Sequence, residues 1–268
     1  MSSSRPKGPI KDDTSILFNA TARVRGAEEA NVLRSNKVVE YHVSSGADFY
    51  ATMPSDNGWG CGYRNIQMMW SFLRKYDPYR LSLQASDYGA GSVPPISGLQ
   101  LVLDRAWRDG FDPEGAEKFG GCASGSRKWI GTAECAVVLR SLGVRAKIVD
   151  FLPPDAGSKL VAWVWRYFTR DWGEKCVPPL YFQHSGHSRT IIGAEKRENG
   201  DLFLIILDPS IRRTDAEIML DVNHDLKQFR CSAKALQKKY YQIVYPDGVA
   251  QSQEEYRRLK QLAPDERI

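Results

Sequence analysis

The stretch that decides the fold runs from residue 179 to residue 210 and reads PLYFQHSGHSRTIIGAEKRENGDLFLIILDPS. Its segments PLYFQHS, SRTIIGAEK and DLFLIIL are rich in branched and aromatic residues, which is typical of strands. Asn199 and Gly200 separate two apolar runs and form a strong hairpin signal. The stretch therefore predicts antiparallel strands.

The chain upstream of this stretch is mostly helical in pattern, because apolar residues recur there at helical spacing. Thr132 is a candidate helix cap and Gly143 a candidate helix end. Strands are predicted at 145–151 and 240–246. Helices first and strands later favour an α+β fold, a helical part followed by an antiparallel sheet. The helices are predicted from Cys61 to the Asp77-Pro78 pair and over 98–110, 129–144, 158–172 and 225–239.

One main domain is expected in this chain of 268 residues. Residues 1–14 are polar and are predicted to be disordered. The main domain is predicted over 15–248, with 15–47 as an N-terminal arm, and 249–268 is interpreted as a polar C-terminal tail. The sequence contains no apolar run long enough to cross a membrane, so we expect a cytoplasmic or nuclear protein that does not bind membranes.

Charge and cysteine content narrow the possible functions further. The 37 basic and 32 acidic residues are mixed along the chain, and the net charge of +5 is not concentrated in a basic block. Nucleic-acid binding usually needs clustered Lys and Arg, so we expect none. The five cysteines are odd in number and lack a CxxC pair, which argues against disulfides and a zinc ribbon. A monomer with reduced thiols is expected.

The segment DNGWGCGYRNIQMMW, residues 56–70, contains a candidate nucleophile. Cys61 lies at the start of a predicted helix, where the helix dipole stabilises a thiolate. Gly60 and Gly62 on either side would let a substrate chain and oxyanion-binding N–H groups come close to the sulfur. The alternative is a structural cysteine packed at a tight turn. This segment alone leaves both readings open.

A base and an orienting acid are available in the stretch at 179–210. His187 begins a predicted strand, and Asp208 follows the next strand, so Cys61, His187 and Asp208 have the composition of a cysteine-hydrolase triad. A two-residue turn at Asn199 and Gly200 would place Asp208 opposite Ile191, so a bulge or strand twist has to close the remaining distance. Structural roles for the histidine and the acid remain an alternative.

Three further polar residues are candidates for the same site. The Gln183 amide could donate to an oxyanion, or it is a polar residue at the edge of the core. Asp112 and Glu134 could bind arginines of a flexible substrate tail, or serve as a turn residue and a helix-start acid respectively. His184 and His187 form an HxxH pair, but no third ligand has suitable spacing, so we expect no metal site.

These motifs are similar to those of a known family. GWGCGYRNIQMMWSFL, EGAEKFGG…WIGTAE and YFQHSGHSRTIIGAE…LFLIILDP resemble the ZUFSP branch of the UfSP-type cysteine peptidases, which are papain-like enzymes that cleave ubiquitin or UFM1. The resemblance extends from about residue 40 to residue 245. It implies a papain-like fold, ubiquitin or polyubiquitin as partner and no cofactor.

The resemblance also implies roles for individual residues. Cys61 would be the nucleophile, His187 the general base, Asp208 the orienting acid and Gln183 an oxyanion donor. Asp112 and Glu134 would pair with arginines of the ubiquitin tail. Asp56 lies near this site in the family pattern, without an assigned role.

Ubiquitin is favoured over UFM1 by one tripeptide. UFM1-specific members carry Asp-Pro-His, whereas this chain has Asp208-Pro209-Ser210. Longer family members carry zinc fingers ahead of the catalytic domain, and the first 40 residues here lack zinc-ligand spacing, so we expect a short form. The expected function is hydrolysis of isopeptide bonds at the ubiquitin C-terminal glycine. The alternatives are a UFM1 protease, an inactive ubiquitin-binding module and a scaffold with a buried Cys61.

Overall fold

The computed structural model of the chain describes residues 15–33, 37–86, 91–221 and 226–268. Residues 1–14, which were predicted to be disordered, lie outside these ranges, and so does His224, one of the four histidines of the chain. The helices are α1 Ala20–Leu33, α2 Cys61–Leu73, α3 Tyr79–Ala85, α4 Ile96–Arg108, α5 Pro113–Phe119, α6 Thr132–Ser141, α7 Ala156–Thr169, α8 Arg213–Met219 and α9 Gln253–Arg258. The strands are β1 Ile16–Leu17, β2 Val38–Val43, β3 Phe49–Tyr50, β4 Val144–Phe151, β5 Leu180–His184, β6 His187–Arg197, β7 Leu202–Leu207, β8 Arg230–Ser232, β9 Tyr241–Val249 and β10 Glu266–Arg267.

The main sheet has the strand order β10-β4-β9-β5-β6-β7-β8, and β2 pairs with the far end of β6. All these pairings are antiparallel except that of β10 with β4. The short strands β1 and β3 form a separate antiparallel pair. The predicted α+β class with an antiparallel sheet is therefore confirmed.

Helices cover both faces of this sheet, which explains why β5 is apolar on both sides. Tyr181 points into the core that α2, α4 and α6 form on one face. Its neighbours Leu180 and Phe182 point into the core that α7 forms on the other. Successive side chains of a strand alternate between faces, so a strand buried on both sides reads as a continuous apolar run.

The helices predicted upstream are confirmed as α2, α4, α6 and α7, but the helix predicted at 225–239 is wrong. Within the described residues of that segment, the chain forms strand β8 between two short 3₁₀ turns. Phe203 and Ile205 of β7 pair with β8, and the buried Cys231 packs into the core beneath α7. Pairing with the edge of β7 therefore overrides the local helical spacing.

The hairpin of β6 and β7 has a wider turn than predicted and contains a bulge. Residues 198–201 connect the strands, and Lys196 lies opposite Leu202. The register then shifts between Ile191 and Gly193, so that Thr190 lies opposite Leu207. Asp208, next in the chain, is thereby brought level with residue 189. Along the β6–β7 ladder, Asp208 is therefore offset from His187 by two residues. The two-residue turn predicted an offset of four residues, about 13 Å along a strand.

The C-terminal segment 249–268 is polar but packs on the fold. Strand β10 extends the sheet beside β4, and Ile268 N–H donates to Asp150 O at 2.9 Å. The Arg140 guanidinium lies 3.4 Å from the Asp265 carboxylate. The domain boundaries stay a prediction. Among the described residues, no helix has the length and apolar character needed to cross a membrane.

Candidate active site

Cys61 is the first residue of α2 and is partly exposed. The turn before it is held by Asp56, whose backbone oxygen accepts from Gly60 N–H at 2.8 Å. The Asp56 carboxylate accepts two hydrogen bonds from the Arg64 guanidinium, at 2.8 and 3.0 Å, and a third from Met53 N–H at 3.0 Å. Asp56 and Arg64 are both buried. This bidentate ion pair fixes the turn to the first turns of α2.

The glycines beside Cys61 have a packing role that the sequence did not predict. A Cβ on Gly60 would lie 2.7 Å from Asp56 Cβ, and a Cβ on Gly62 would lie 2.7 Å from Ile130 O. Both distances are shorter than the non-bonded contacts that a Cβ atom can make. The glycines therefore let α2 pack against its own turn and against the chain ahead of α6, whereas access of a substrate was the role expected of them.

The structure brings His187 and Asp208 into direct contact. His187 begins β6, and its Nε2 lies 2.9 Å from Asp208 Oδ1. Ser210 donates to the same carboxylate oxygen through its N–H at 2.9 Å and its hydroxyl at 2.7 Å. Because Nε2 is used by Asp208, Nδ1 is the ring nitrogen available to Cys61.

The Cys61 thiol hydrogen-bonds to His187, and these contacts shift the pKa of both groups. Burial raises the pKa of Cys61, but hydrogen bonds from His187 and Ser188 and the charge of His187 outweigh it, so the pKa is lowered. The hydrogen bond to Asp208, then the one to Cys61, raises the pKa of His187 to about 9. Burial opposes ionisation of Asp208, yet its bonds to His187 and Ser210 lower its pKa. The site therefore favours a thiolate–imidazolium pair.

Three residues that sequence reasoning missed connect α2 to β6 behind Cys61. Asn65 Nδ2 donates to Cys61 O at 2.7 Å and to Ser188 Oγ at 3.1 Å. Thr190 Oγ1 donates to Asn65 Oδ1 at 2.7 Å. Two features of the sequence could have indicated this cluster. Asn65 lies four residues after Cys61, one helical turn further on, and Ser188 and Thr190 lie on the same face of one strand.

Gln183 lies one strand away from this cluster. It pairs with Ser188 across the β5–β6 ladder. Tyr181 Oη donates to Gln183 Oε1 at 3.2 Å, so the amide Nε2 is left as the donor. The amide packs at Gly131, where an added Cβ would lie 3.4 Å from it.

Asp112 and Glu134 both lie at helix starts, Asp112 at α5 and Glu134 at α6. Asp112 is the N-cap of α5 and accepts from Gly115 N–H at 3.2 Å. Glu134 accepts from Gly131 N–H at 2.7 Å. Thr132 was expected to be the α6 cap, but Gly131 occupies that position and Thr132 begins the helix. Each carboxylate caps a helix and keeps a second oxygen for another donor.

The two histidines of the HxxH pair face different partners. His184 Nε2 lies 2.8 Å from Arg189 Nη2, whereas His187 faces Asp208. Within the described ranges no group of three His, Cys, Asp or Glu residues is arranged to hold a metal ion.

The sequence of residues 36–244 matches Peptidase family C78. The chain belongs to this family. The resemblance to the UfSP-type peptidases is thereby confirmed, and with it the prediction of a cysteine peptidase.

Two relatives match over most of this chain. Zinc finger-containing ubiquitin peptidase 1 of Bos taurus is 38% identical over 231 residues, 81% of this chain and 39% of that protein. Ubiquitin carboxyl-terminal hydrolase mug105 of Schizosaccharomyces pombe is 32% identical over 207 residues, 74% of this chain and 78% of that protein. The chain thus spans about two fifths of the first relative's length.

More distant matches carry a UFM1-related name. Ufm1-specific protease 2 of Mus musculus is 30% identical over 169 residues, 62% of this chain and 31% of that protein. The crystal structure of UfSP from C. elegans superposes with a TM-score of 0.54 at 21% identity, covering 83% of this chain and 38% of that chain. This superposition confirms the predicted papain-like fold.

Proposed function

We propose that this C78 peptidase is a deubiquitinase that hydrolyses isopeptide bonds at the C-terminal glycine of ubiquitin, in polyubiquitin chains. The observation that carries the proposal is the contact of His187 with both Asp208 and a Cys61 thiol of lowered pKa. A thiolate at a helix start, paired with an oriented imidazolium, is the arrangement that acyl transfer through cysteine requires.

In the first half of the reaction, the Cys61 thiolate attacks the carbonyl carbon of the ubiquitin glycine. A carbon–sulfur bond forms, and the carbonyl oxygen becomes an oxyanion. His187 then gives its Nδ1 proton to the leaving lysine amine as the carbon–nitrogen bond breaks. A thioester of Cys61, a free amine and a neutral His187 remain.

In the second half, neutral His187 accepts a proton from a water molecule that attacks the thioester. The carbon–sulfur bond breaks, and the Cys61 thiolate and His187 imidazolium are restored. Ubiquitin leaves as the free carboxylic acid, which releases its remaining proton to solvent. Asp208 holds the imidazole in the tautomer that exposes Nδ1 and stabilises its charged form. The reaction as proposed uses no cofactor.

Gln183 is the proposed oxyanion donor, because Tyr181 occupies its oxygen and leaves Nε2 to donate. The free oxygens of Asp112 and Glu134 are proposed to bind the arginines of the ubiquitin tail. Glu134→Gln keeps an oxygen that can accept from Gly131 N–H and removes only the charge. We expect a KM for ubiquitin substrates raised about tenfold with little change in kcat or melting temperature, since charge-assisted bonds are the stronger ones.

Ubiquitin is preferred to UFM1 for two reasons. The relatives that match most of this chain carry ubiquitin in their names, whereas the UFM1-named relative matches less of it. The position where UFM1-specific members carry histidine is Ser210 here, and it donates to Asp208.

The proposal is tested by incubating the chain with di-ubiquitins of every linkage, longer ubiquitin chains and a UFM1 fusion, with Cys61→Ala as the inactive control. Cleavage of ubiquitin chains by the parent and not by Cys61→Ala is expected. Longer chains are included because cleavage can require more than one ubiquitin contact. Cleavage of the UFM1 fusion alone would replace ubiquitin by UFM1, and binding of ubiquitin without any cleavage would favour a binding module.

A further inference from the structure

Asn65, Ser188 and Thr190 form a fully buried polar cluster between α2 and β6. Their exposed fractions are 0%, 1% and 0%. Apolar side chains of similar size could fill such an interface, because replacing both partners of a buried hydrogen bond by apolar groups of the same shape can be neutral or stabilising. Packing alone therefore gives no reason for three polar residues here, and the cluster lies directly against Cys61.

The hydrogen bonds of this cluster run in one direction. Thr190 Oγ1 donates to Asn65 Oδ1, which fixes the orientation of the Asn65 amide. The amide nitrogen then donates to Cys61 O and to Ser188 Oγ. Because Ser188 accepts from Asn65, its single hydroxyl hydrogen remains to be donated elsewhere.

Two acceptors face this hydroxyl, the Cys61 sulfur and the Tyr181 oxygen, and the thiolate accepts the stronger hydrogen bond because it is charged. Both the Ser188 hydroxyl and its backbone N–H face the Cys61 thiol and lower its pKa. We propose that Ser188 donates a hydrogen bond to the Cys61 thiolate, and that Asn65 and Thr190 are positioning residues that direct this donation. The proposal rests on the proposed role of Cys61 as the nucleophile and adds a second donor to the one that His187 supplies.

Chains of hydrogen bonds that point the same way strengthen one another in a buried site. A donor to a thiolate stabilises the ionised form, and Ser188 is held by its backbone directly after His187. One strand start therefore presents two donors to the sulfur at once. Asn65 also binds the Cys61 carbonyl, so the helix that carries the thiol and the strand that carries its donors are held together by one amide.

Other ionisable groups face this cluster. His187 of β6 contacts the thiol, Tyr181 of β5 lies beneath it and Glu134 lies at the start of α6. The Tyr181 hydroxyl donates to Gln183, and burial raises its pKa well above the ordinary value, so it stays protonated. All three groups are unchanged in the variants below, and differences between the variants therefore report on the cluster.

The test measures alkylation of Cys61 by iodoacetamide between about pH 5 and pH 9, with modified peptides quantified by mass spectrometry. It uses the full chain without ubiquitin, and the exposed Cys122 in the same sample serves as reference. At pH values below the plateau, Ser188→Ala should slow Cys61 alkylation about tenfold, because hydrogen bonds to charged groups are worth about a factor of ten or more. Ser158→Ala, at an exposed serine, should have no effect.

Two conservative variants separate donation from packing. Ser188→Thr keeps the hydroxyl and should restore most of the alkylation rate. Asn65→Asp has nearly the same shape but offers only acceptors, so it would turn the Ser188 hydroxyl away from Cys61. It should slow alkylation as Ser188→Ala does. Melting temperatures measured alongside show that each variant is folded.

An unchanged profile for folded Ser188→Ala overturns the proposal. A loss in Asn65→Asp that Ser188→Ala does not share assigns Asn65 to packing and also overturns it. These outcomes are independent of the substrate, since alkylation requires no ubiquitin. A parent chain whose Cys61 does not react at all would instead contradict the proposed function.

Discussion

Replacing Asp208 by asparagine should narrow the pH range in which the enzyme works. Asparagine has the shape of aspartate and can still accept from His187 Nε2 at 2.9 Å, but it carries no charge. The hydrogen bond to Asp208 is the largest cause that raises the pKa of His187 to about 9. In the proposed mechanism His187 must be protonated to give a proton to the leaving amine, so activity should be lost as pH rises through this value.

The size of the effect follows from the shift of the His187 pKa. A rise from 6.5 to about 9 corresponds to about 3.4 kcal/mol at about 1.36 kcal/mol per unit. Cys61 contributes part of this free energy. Because 27% of the His187 side chain is exposed, solvent screening reduces it further, and the share due to the Asp208 charge is about 1.5 kcal/mol. The alkaline limb of kcat/KM should therefore move down by about one pH unit.

The assay is the pH dependence of kcat/KM for a fluorogenic amide of the ubiquitin C-terminus. The parent should give a bell-shaped pH profile of kcat/KM. Its acid limb is set by the lowered pKa of Cys61, and its alkaline limb lies near the His187 pKa of about 9. Asp201→Asn, at the exposed tip of the same hairpin, is the matched control and should leave the bell unchanged. An alkaline limb that stays in place in folded Asp208→Asn would refute this role for Asp208.

Three further predictions concern stability. Gly62→Ala should lower the free energy of unfolding by about 1–3 kcal/mol in urea denaturation, because its Cβ would lie 2.7 Å from Ile130 O, and an unchanged midpoint would contradict the packing argument. Arg64→Lys keeps the positive charge but cannot form the bidentate ion pair with buried Asp56, so we expect a melting temperature several degrees lower. Equal melting temperatures would show that the charge alone stabilises the turn. Burial and a neighbouring carboxylate raise the pKa of Glu28 to about 8, so the native state loses stability as pH rises from 4.5 through about 8. In thermal unfolding, the melting temperature of Glu28→Gln should fall less than that of the parent between about pH 6 and pH 9. Equal falls would show that a group other than Glu28 titrates in this range.

Alternation and turn residues were sufficient to predict β4, β5, β6, β7 and β9, because the pattern of residue types shows which faces of a strand are buried, whereas β2, β8 and β10 were not predicted as strands. The register of the hairpin could not be predicted. One extra residue between Ile191 and Gly193 shifts Asp208 toward His187, and such a bulge depends on the neighbouring strands β2, β5 and β7. The triad residues were predicted from their types and order, whereas their contact depends on this shift.

The helix predicted at 225–239 failed for a related reason. Spacing reports which residues are buried but not what they pack against, and the edge of β7 supplied a partner for β8. The cluster of Asn65, Ser188 and Thr190 was also missed. Polar residues inside a helix and a strand read as solvent-facing until the two elements are seen to meet.

The proposal that Cys61 is the nucleophile of a ubiquitin peptidase is tested most directly with ubiquitin and UFM1 that each carry an electrophile at the C-terminal glycine. Each is incubated with the parent, with Cys61→Ala and with His187→Ala, and the adducts are mapped by mass spectrometry. The proposed function requires one ubiquitin adduct on Cys61 of the parent, slower labelling of His187→Ala and none of Cys61→Ala. Labelling by UFM1 alone, or a ubiquitin adduct on any cysteine other than Cys61, would contradict it.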